Sequence, residues 1–451
     1  MEIISAASET VLAILKNMKK TDMSYRLMHY CAEVSTDDGI LLFNLMTREL
    51  VLLTEAEYSH LTELDYLKQH WFLVPEEANE KEYADLVKWV LRTRQKKAKN
   101  ITGYTIFPTT DCNARCFYCF ELGRSRIPMS QETALKTVQY IKDHCGGDTV
   151  HISWFGGEPL FNQNAIATIC DGLRKNEITF HSFMVSNGYL FDDATVQKAV
   201  HDWNLKRVQI TLDGTEEVYN KAKAYIYREG SAYQKVLGNI ERLLDADIVV
   251  QIRLNMDLYN AENLLELVGE LARRFAGRKG FHVYAHHIFD GNNPMATTHT
   301  EEEWEKRDEA MRRLNEKLKE YGLSSKRGIS KHIKLNHCMA DSGKSVTILP
   351  DGNIGLCEHF SEDEFIGHLD KEGFDPEMVK SWKETVPEIL ECAECFYYPE
   401  CIKLKKCAND NICFRQDRND LLRKTKQQML NEYENWKSKT EVEDSEDTDE
   451  C

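Results

Sequence analysis

The chain has 451 residues, 42 % of them hydrophobic, and a formal charge of −17 at pH 7. That length predicts about two to four globular domains. The acidic balance argues against a nucleic-acid partner, because phosphate binding needs a concentrated basic face. No stretch approaches the roughly 20 consecutive apolar residues of a membrane span, so we expect no membrane partner.

The chain has 14 cysteines, whose role depends on whether the protein lies in a reducing or an oxidising cellular compartment. Residues 1–20 lack the basic start and cleavage site of a signal peptide, so we expect a cytoplasmic protein. Cytosolic thiols stay reduced, and their number therefore indicates metal ligation more than disulfides. Four scattered cysteines are interpreted as plain thiols: Cys31, Cys145, Cys170 and Cys451.

Residues 1–100 form a first predicted unit. Residues 1–20 favour a short amphipathic helix, and a tight turn is expected at Asp37-Asp38-Gly39. Periodicity then predicts a small sheet backed by helices. Its strands are expected at 25–34, 40–45, 49–54 and 70–75, and its helices at 55–67 and 79–100.

Residues 101–325 alternate between strands and helices in six repeats. Such repeats predict an α/β domain whose parallel strands are joined by right-handed crossovers. A partial (β/α) barrel and a doubly wound sheet both satisfy this pattern. In either fold ligands bind beyond the carboxyl ends of the strands, and the polar motifs described below follow the predicted strands directly.

Residues 326–437 lose the alternation. A hairpin is predicted with Asp351-Gly352 at its turn, and little regular structure is expected from Cys392 to Cys413, where ligated metal would substitute for a core. A last helix is predicted at 416–439. The acidic segment 438–451 is interpreted as a solvated, disordered tail.

The stretch "FPTTDCNARCFYCFE" follows the first strand of the repeats and holds Cys112, Cys116 and Cys119. A zinc site completed by a distant ligand is one interpretation, but zinc favours paired Cys or Cys/His motifs. A [4Fe–4S] cluster has four irons, so three thiolates leave one iron open to another ligand. The spacing favours the iron–sulfur interpretation.

This CxxxCxxC run, with Tyr118 as the aromatic residue before its last cysteine, resembles the signature of the radical S-adenosylmethionine (SAM) superfamily. The resemblance implies a partial (β/α)₆ barrel whose cluster binds SAM through the open iron. It further implies reductive cleavage of SAM to a 5′-deoxyadenosyl radical that abstracts a substrate hydrogen. The protein's task is then to hold cofactor and substrate together and to exclude solvent.

Three further motifs strengthen the resemblance. The "GGEP" loop matches the family loop that meets the SAM amino group, and "SNG" resembles the side chains that contact its methionyl or ribose portion. Arg253 is implied as the partner of the SAM carboxylate, and Asp213 either lines the pocket or shapes a turn. The implied SAM-binding residues are Tyr118, Gly156, Gly157, Glu158, Pro159, Ser186, Asn187 and Arg253.

Seven cysteines near the carboxyl end resemble the SPASM extension of some radical SAM enzymes, which holds two auxiliary [4Fe–4S] clusters. The resemblance implies one cluster on Cys392, Cys395, Cys401 and Cys413, and another on Cys338, Cys357 and Cys407. His337, Cys170 or the substrate could complete the second of these. The chain departs from the pattern with five residues between Cys401 and Cys407, and two zinc sites remain an alternative.

SPASM enzymes mostly modify peptides, and residues 1–100 resemble the small winged-helix-like domain that binds a precursor's leader peptide as an added strand. We therefore expect a maturase of a ribosomally made peptide that forms an intramolecular thioether, supplied with electrons by a flavodoxin or ferredoxin. The alternatives are a carbon–carbon crosslink, epimerisation, formylglycine formation in a sulfatase, or a non-catalytic iron–sulfur protein. The N-terminal unit could also be a packing domain without a peptide role.

Overall fold

A computed structural model describes residues 1–16, 18, 24–95, 100–119, 121, 123–288, 301–325, 327–333, 335, 338–359, 364–407, 413 and 415–446. Within these ranges no helix has the length and apolar character needed to cross a bilayer.

The N-terminal unit holds two small antiparallel sheets and four helices. One sheet has the strand order β1-β5-β4-β3, and the other pairs β2 with β6. The strands are β1 (Glu2–Ser5), β2 (Tyr25–Leu27), β3 (Cys31–Thr36), β4 (Gly39–Asn44), β5 (Glu49–Leu53) and β6 (Leu73–Pro75), and the helices are α1 (Glu9–Leu15), α2 (Glu55–Ser59), α3 (Asp65–Gln69) and α4 (Glu80–Gln95).

The predicted turn at Asp37-Asp38-Gly39 is confirmed. Gly39 has φ +141°, and a Cβ there would collide with the Leu53 carbonyl oxygen on the neighbouring strand. Two predictions are wrong in part. Residues Glu2–Ser5 form a strand on β5 instead of the start of a helix, and the strand expected at 25–34 is divided between the two sheets.

The central domain confirms the predicted alternation. Its strands are β7 (Gly103–Ile106), β8 (Val150–Trp154), β9 (Phe180–Ser186), β10 (Leu205–Leu212), β11 (Val249–Met256) and β12 (Phe281–His287). Its helices are α5 (Gln131–His144), α6 (Gln163–Lys175), α7 (Asp193–His201), α8 (Glu216–Lys223), α9 (Ala232–Asp245), α10 (Ala261–Phe275) and α11 (Glu301–Glu320). Helix α8 was not predicted.

These six strands are parallel and lie side by side in chain order. A doubly wound sheet reverses its strand order at a switch point, so the sequential order identifies the fold as a partial barrel. Ile210, Ile252 and Val283 are buried on the outer face of the sheet. Their neighbours Arg253 and Tyr284 lie half-buried on the inner face.

The C-terminal region extends the same sheet. The predicted hairpin forms from β13 (Ser345–Ile348) and β14 (Asn353–Gly355), and β15 (Gly367–His368) follows. Strand β13 also pairs in parallel with β7, which was not predicted. The helices are α12 (Met339–Ser342), α13 (Pro376–Trp382) and α14 (Arg415–Glu446), and 3₁₀ turns span Leu390–Glu394 and Tyr398–Glu400.

Helix α14 packs across the N-terminal sheet. Met429 and Tyr433 belong to the same buried core as Leu41 and Leu50 of that sheet, so the two ends of the chain share one core. The helix continues to Glu446. The prediction of disorder from residue 438 is therefore wrong as far as residue 446, and residues 447–451 lie outside the described ranges.

Candidate active site

The CxxxCxxC loop begins after β7, at the carboxyl end of the parallel strands. Its three cysteines are half-buried. Burial, together with the charges of Glu158, Cys116 and Cys119, raises the pKa of Cys112 to about 12. The Ala114 backbone N–H donates to Cys112 Sγ over 3.3 Å. The loop therefore gathers three thiols at one mouth of the barrel.

The GGEP loop packs directly on the cysteine loop. The Glu158 N–H donates to the Asp111 carbonyl over 2.9 Å. Gly156 has φ +92°, and a Cβ on Gly157 would collide with the Asp111 carbonyl oxygen. Pro159 begins a 3₁₀ turn that ends the loop. The two glycines are thus required for the close approach of two backbones, as well as for any ligand beside them.

The Glu158 carboxylate joins the GGEP loop to the SNG loop. It is fully buried and accepts hydrogen bonds from Ser186 Oγ (2.9 Å), the Asn187 N–H (2.8 Å) and the Leu160 N–H (3.2 Å). Burial raises its pKa to about 7, although these donors oppose the shift. The resemblance implied an ammonium partner for Glu158, whereas the structure shows its role in holding two loops together.

Asn187 extends this connection to the cysteine loop. Its Nδ2 donates to Asn113 Oδ1 over 2.6 Å and lies 3.8 Å from Cys112 Sγ. The structure therefore brings together the cysteine, GGEP and SNG loops, as expected where parallel strands end at one edge.

A buried polar network supports the same loop from below. Tyr118 Oη donates to Asp213 Oδ1 over 2.6 Å, and Lys223 Nζ donates to Tyr118 Oη over 2.8 Å. Lys223 also forms an ion pair with Asp213 at 3.1 Å, and Asn255 Nδ2 donates to Asp213 over 3.1 Å. Asp213 therefore orients Tyr118. Sequence reasoning missed Lys223 and Asn255, because neither stands in a recognisable motif.

Arg253 lies on the inner face of β11, in register with Thr211 and Tyr284 of the neighbouring strands. Its Nε is buried and has no hydrogen-bond partner among the described residues, while Nη2 lies 3.0 Å from His286 Nδ1. Burial lowers the pKa of His286 to about 4, with Arg253 adding to the shift, so the imidazole is neutral. A half-buried cation with an unused donor fits an anionic ligand such as a carboxylate.

Cys338, Cys357 and Cys407 lie near one another, beyond β13 and β14. Burial raises the pKa of Cys357, and the charges of Cys338 and Cys407 add to the shift. Two protein groups were expected to complete this set. Cys170 is buried in the core on α6, where the charges that act on it come from α6 and from Asp202 after α7, and none comes from this set. His337 lies outside the described residues.

The second set of cysteines lies against the N-terminal unit. Burial raises the pKa of Cys395, and Cys413 and Cys392 add to the shift. Cys401 follows the 3₁₀ turn Tyr398–Glu400, with its N–H donating to the Tyr398 carbonyl over 3.1 Å. Among the described residues no three His, Cys, Asp or Glu side chains meet closely enough to hold a single metal ion.

Comparison with known proteins agrees with this geometry. The model of the Radical SAM superfamily matches residues 106–273, which make up most of the central domain. A GTP 3',8-cyclase of Clostridium perfringens is 24 % identical over 278 residues, which cover 59 % of this chain and 83 % of that protein.

Two solved structures share the fold. Native anSMEcpe with bound AdoMet and Cp18Cys peptide has a TM-score of 0.55 at 14 % identity, covering 74 % of this chain and 99 % of its own. Streptococcus suis SuiB bound to precursor peptide SuiA has a TM-score of 0.52 at 12 % identity, covering 85 % of this chain and 96 % of its own.

Proposed function

We propose that the radical SAM domain acts on a ribosomally made precursor peptide and forms an intramolecular thioether between a cysteine sulfur and a carbon atom. When bound, SAM and the [4Fe–4S] cluster on Cys112, Cys116 and Cys119 supply a radical able to take a hydrogen atom from the peptide. The radical takes a hydrogen atom from the carbon, the thiol loses a proton as its sulfur bonds to that carbon, and the remaining electron would pass to the auxiliary cluster that binds the thiolate.

The residues around the barrel mouth would hold and orient these groups. Arg253 supplies a half-buried cation for the SAM carboxylate. Gly156 and Gly157 let the GGEP loop pack on the cysteine loop, and Glu158 fixes Ser186 and Asn187 beside it. The Asp213 network keeps Tyr118 in place and limits water around the reacting atoms.

One feature of the molecule favours a peptide thiol as the reacting group. His359, two residues beyond Cys357, lies close enough to Arg124 and Arg253 for their charges to act on it: burial lowers its pKa to about 4, and both guanidinium groups add to the shift. The set of Cys338, Cys357 and Cys407 therefore lies beside the same opening as the SAM-binding residues. Three cysteines on an auxiliary [4Fe–4S] cluster leave a position that a substrate thiolate fits.

The N-terminal unit supports a peptide substrate. The likeness to SuiB bound to precursor peptide SuiA extends over more of this chain than the likeness to anSMEcpe. Strand β1 already covers one edge of β5, so an added leader strand would pair with the outer edge of β1 or of β3. A cavity of about 410 Å³ opens at the β3 edge, lined by residues that include Ser35, Tyr58 and Lys426.

Two tests apply. The purified chain is reconstituted anaerobically with iron and sulfide and assayed for SAM cleavage. In a separate experiment the chain is co-expressed with a short cysteine-rich peptide encoded beside its gene, and the mass of the peptide is measured. We expect dithionite-dependent formation of 5′-deoxyadenosine and a peptide lighter by two hydrogens per crosslink. An unchanged peptide mass would refute crosslinking, and absence of SAM cleavage would refute any radical SAM activity. A flavodoxin or ferredoxin is the expected donor in the cell.

A further inference from the structure

The second set of cysteines and the N-terminal unit form one buried interface. Cys392, Cys395, Phe396 and Tyr397 pack against the core of the N-terminal sheet, and Tyr398 is buried within it. Helix α4 packs directly on the 3₁₀ turn that precedes Cys401. The immediate surroundings of Cys401 are therefore supplied partly by residues more than 300 positions earlier in the chain.

Polar contacts fix this interface. Tyr398 Oη donates to Asp85 Oδ1 over 2.5 Å and to Glu388 Oε1 over 2.8 Å. Lys81 pairs with the same two carboxylates, at 2.8 Å and 3.1 Å. Lys81 is thus shared by two carboxylates, and these contacts join α4 to the segment around Tyr398 at the rim of the interface.

Lys88 lies deeper on the same helix. Its Nζ is 3.5 Å from the centre of the Tyr398 ring, a cation–π contact, and Tyr398 O accepts the Cys401 N–H. Burial lowers the pKa of Lys88, and the charges of a Cys401 thiolate, Asp85 and Glu388 oppose that shift, with Cys401 the strongest of the three. Among the described residues no carboxylate forms an ion pair with Lys88, because Asp85 and Glu388 are taken by Lys81.

We propose that Lys88 is a positioning residue for the second auxiliary cluster: the N-terminal unit provides a half-buried cation that stabilises the reduced cluster held by Cys401. The inference rests on the proposed function, which assigns Cys401 as a cluster ligand. A cluster that accepts one electron gains one negative charge, so a cation beside its ligand favours the reduced form. Lys88 thereby raises the reduction potential of this cluster.

The experiment uses the full chain with Cys112, Cys116 and Cys119 replaced by Ala, so that only the auxiliary sites remain. After anaerobic reconstitution, the midpoint potentials are measured by redox titration with dithionite, followed by electron paramagnetic resonance. A further Cys401→Ser change identifies the signal of the second cluster. Lys88→Met removes the cation, Lys88→Arg keeps it, and Lys81→Met is the matched control on the same helix and above the same ring, at 4.9 Å.

We expect Lys88→Met to make reduction of the second cluster about tenfold less favourable, a shift of about 59 mV to lower potential. Lys88→Arg and Lys81→Met should stay near the parent value. An unchanged potential in Lys88→Met, or equal shifts in Lys88→Met and Lys81→Met, would overturn the inference.

Loss of the cluster from Lys88→Met is judged by iron content. Retention of iron in Lys88→Arg then supports a role of the charge, whereas loss in both variants indicates packing alone and overturns the inference. A parent chain that binds no iron overturns the cluster assignment itself, and the role of Lys88 with it.

Discussion

The buried ion pair between Arg48 and Glu400 should hold the N-terminal unit on the second set of cysteines. Its atoms lie 2.9 Å apart, and both side chains are 4 % exposed. Arg48 has φ +67° and also donates from Nε to the Ser330 carbonyl over 2.8 Å. A positive φ is unfavourable for arginine, and the contacts of its side chain with Glu400 and the Ser330 carbonyl hold Arg48 in this conformation.

Removing one partner of a buried ion pair costs about 3–5 kcal/mol. Tyr397 also donates to Glu400, so Arg48→Met should cost about 3 kcal/mol, the lower limit of that range. Hydrogen exchange of the β5 amides measures this cost as a loss of protection of roughly a hundredfold. Arg48→Met combined with Glu400→Met should cost less than the sum of the single changes, because neither partner of the pair is then left buried without the other.

The matched control is Lys437→Met. Lys437 also joins the two ends of the chain, through Asp38 at 2.5 Å, but both side chains of that pair are 44 % exposed. Its loss should cost at most about 1 kcal/mol. If Arg48→Met reduces protection no more than Lys437→Met, the pair does not hold the interface and the reasoning from burial is wrong.

Three other predictions concern the barrel mouth. Cys112→Ala should abolish 5′-deoxyadenosine formation, measured by chromatography, whereas Cys170→Ala should leave it intact because that thiol is in the core. Arg253→Met should raise the KM for SAM at least about tenfold, the loss of a charge-assisted hydrogen bond; an unchanged KM would remove Arg253 from the site. Folding raises the pKa of Glu158 from 4.5 to about 7, so the native state favours the protonated carboxyl. The free energy of unfolding should therefore fall by roughly 3 kcal/mol as pH rises from 4.5 to 7. Glu158→Gln should flatten that decline in urea unfolding, and an unchanged slope would contradict the assignment.

Local patterns predicted the central domain well for a physical reason. Each strand buries one face against helices, so alternating apolar residues mark it, and each helix buries one stripe. Chain order alone then made the cysteine, GGEP and SNG loops neighbours, because parallel strands end at one edge. The choice between a barrel and a doubly wound sheet needed the strand order, which periodicity does not contain.

Contacts between distant segments were out of reach of the sequence. Arg48 and Glu400 are 352 positions apart, and each looks like an ordinary surface charge in its own segment. Strand β1 was hidden for a related reason: "EIIS" suits a helix or a strand, and the exposed edge of β5 decides between them. Glu158 was predicted to meet a ligand because the resemblance describes cofactor contacts and not the hydrogen bonds that support a loop.

The chain treats the two buried lysines beside its cysteines differently. Lys223 lies near Cys116 but is paired with the fully buried Asp213, so the pair adds no net charge there. Lys88 lies near Cys401 and forms no direct ion pair among the described residues, although the charges of Asp85 and Glu388 act on it. A cluster that must deliver electrons to SAM has to be hard to reduce, and one that accepts an electron has to be easier to reduce; net charge is one of the factors that separate them. On the proposed function, Lys88 adds a positive charge beside Cys401, whereas the charge of Lys223 beside Cys116 is neutralised by Asp213.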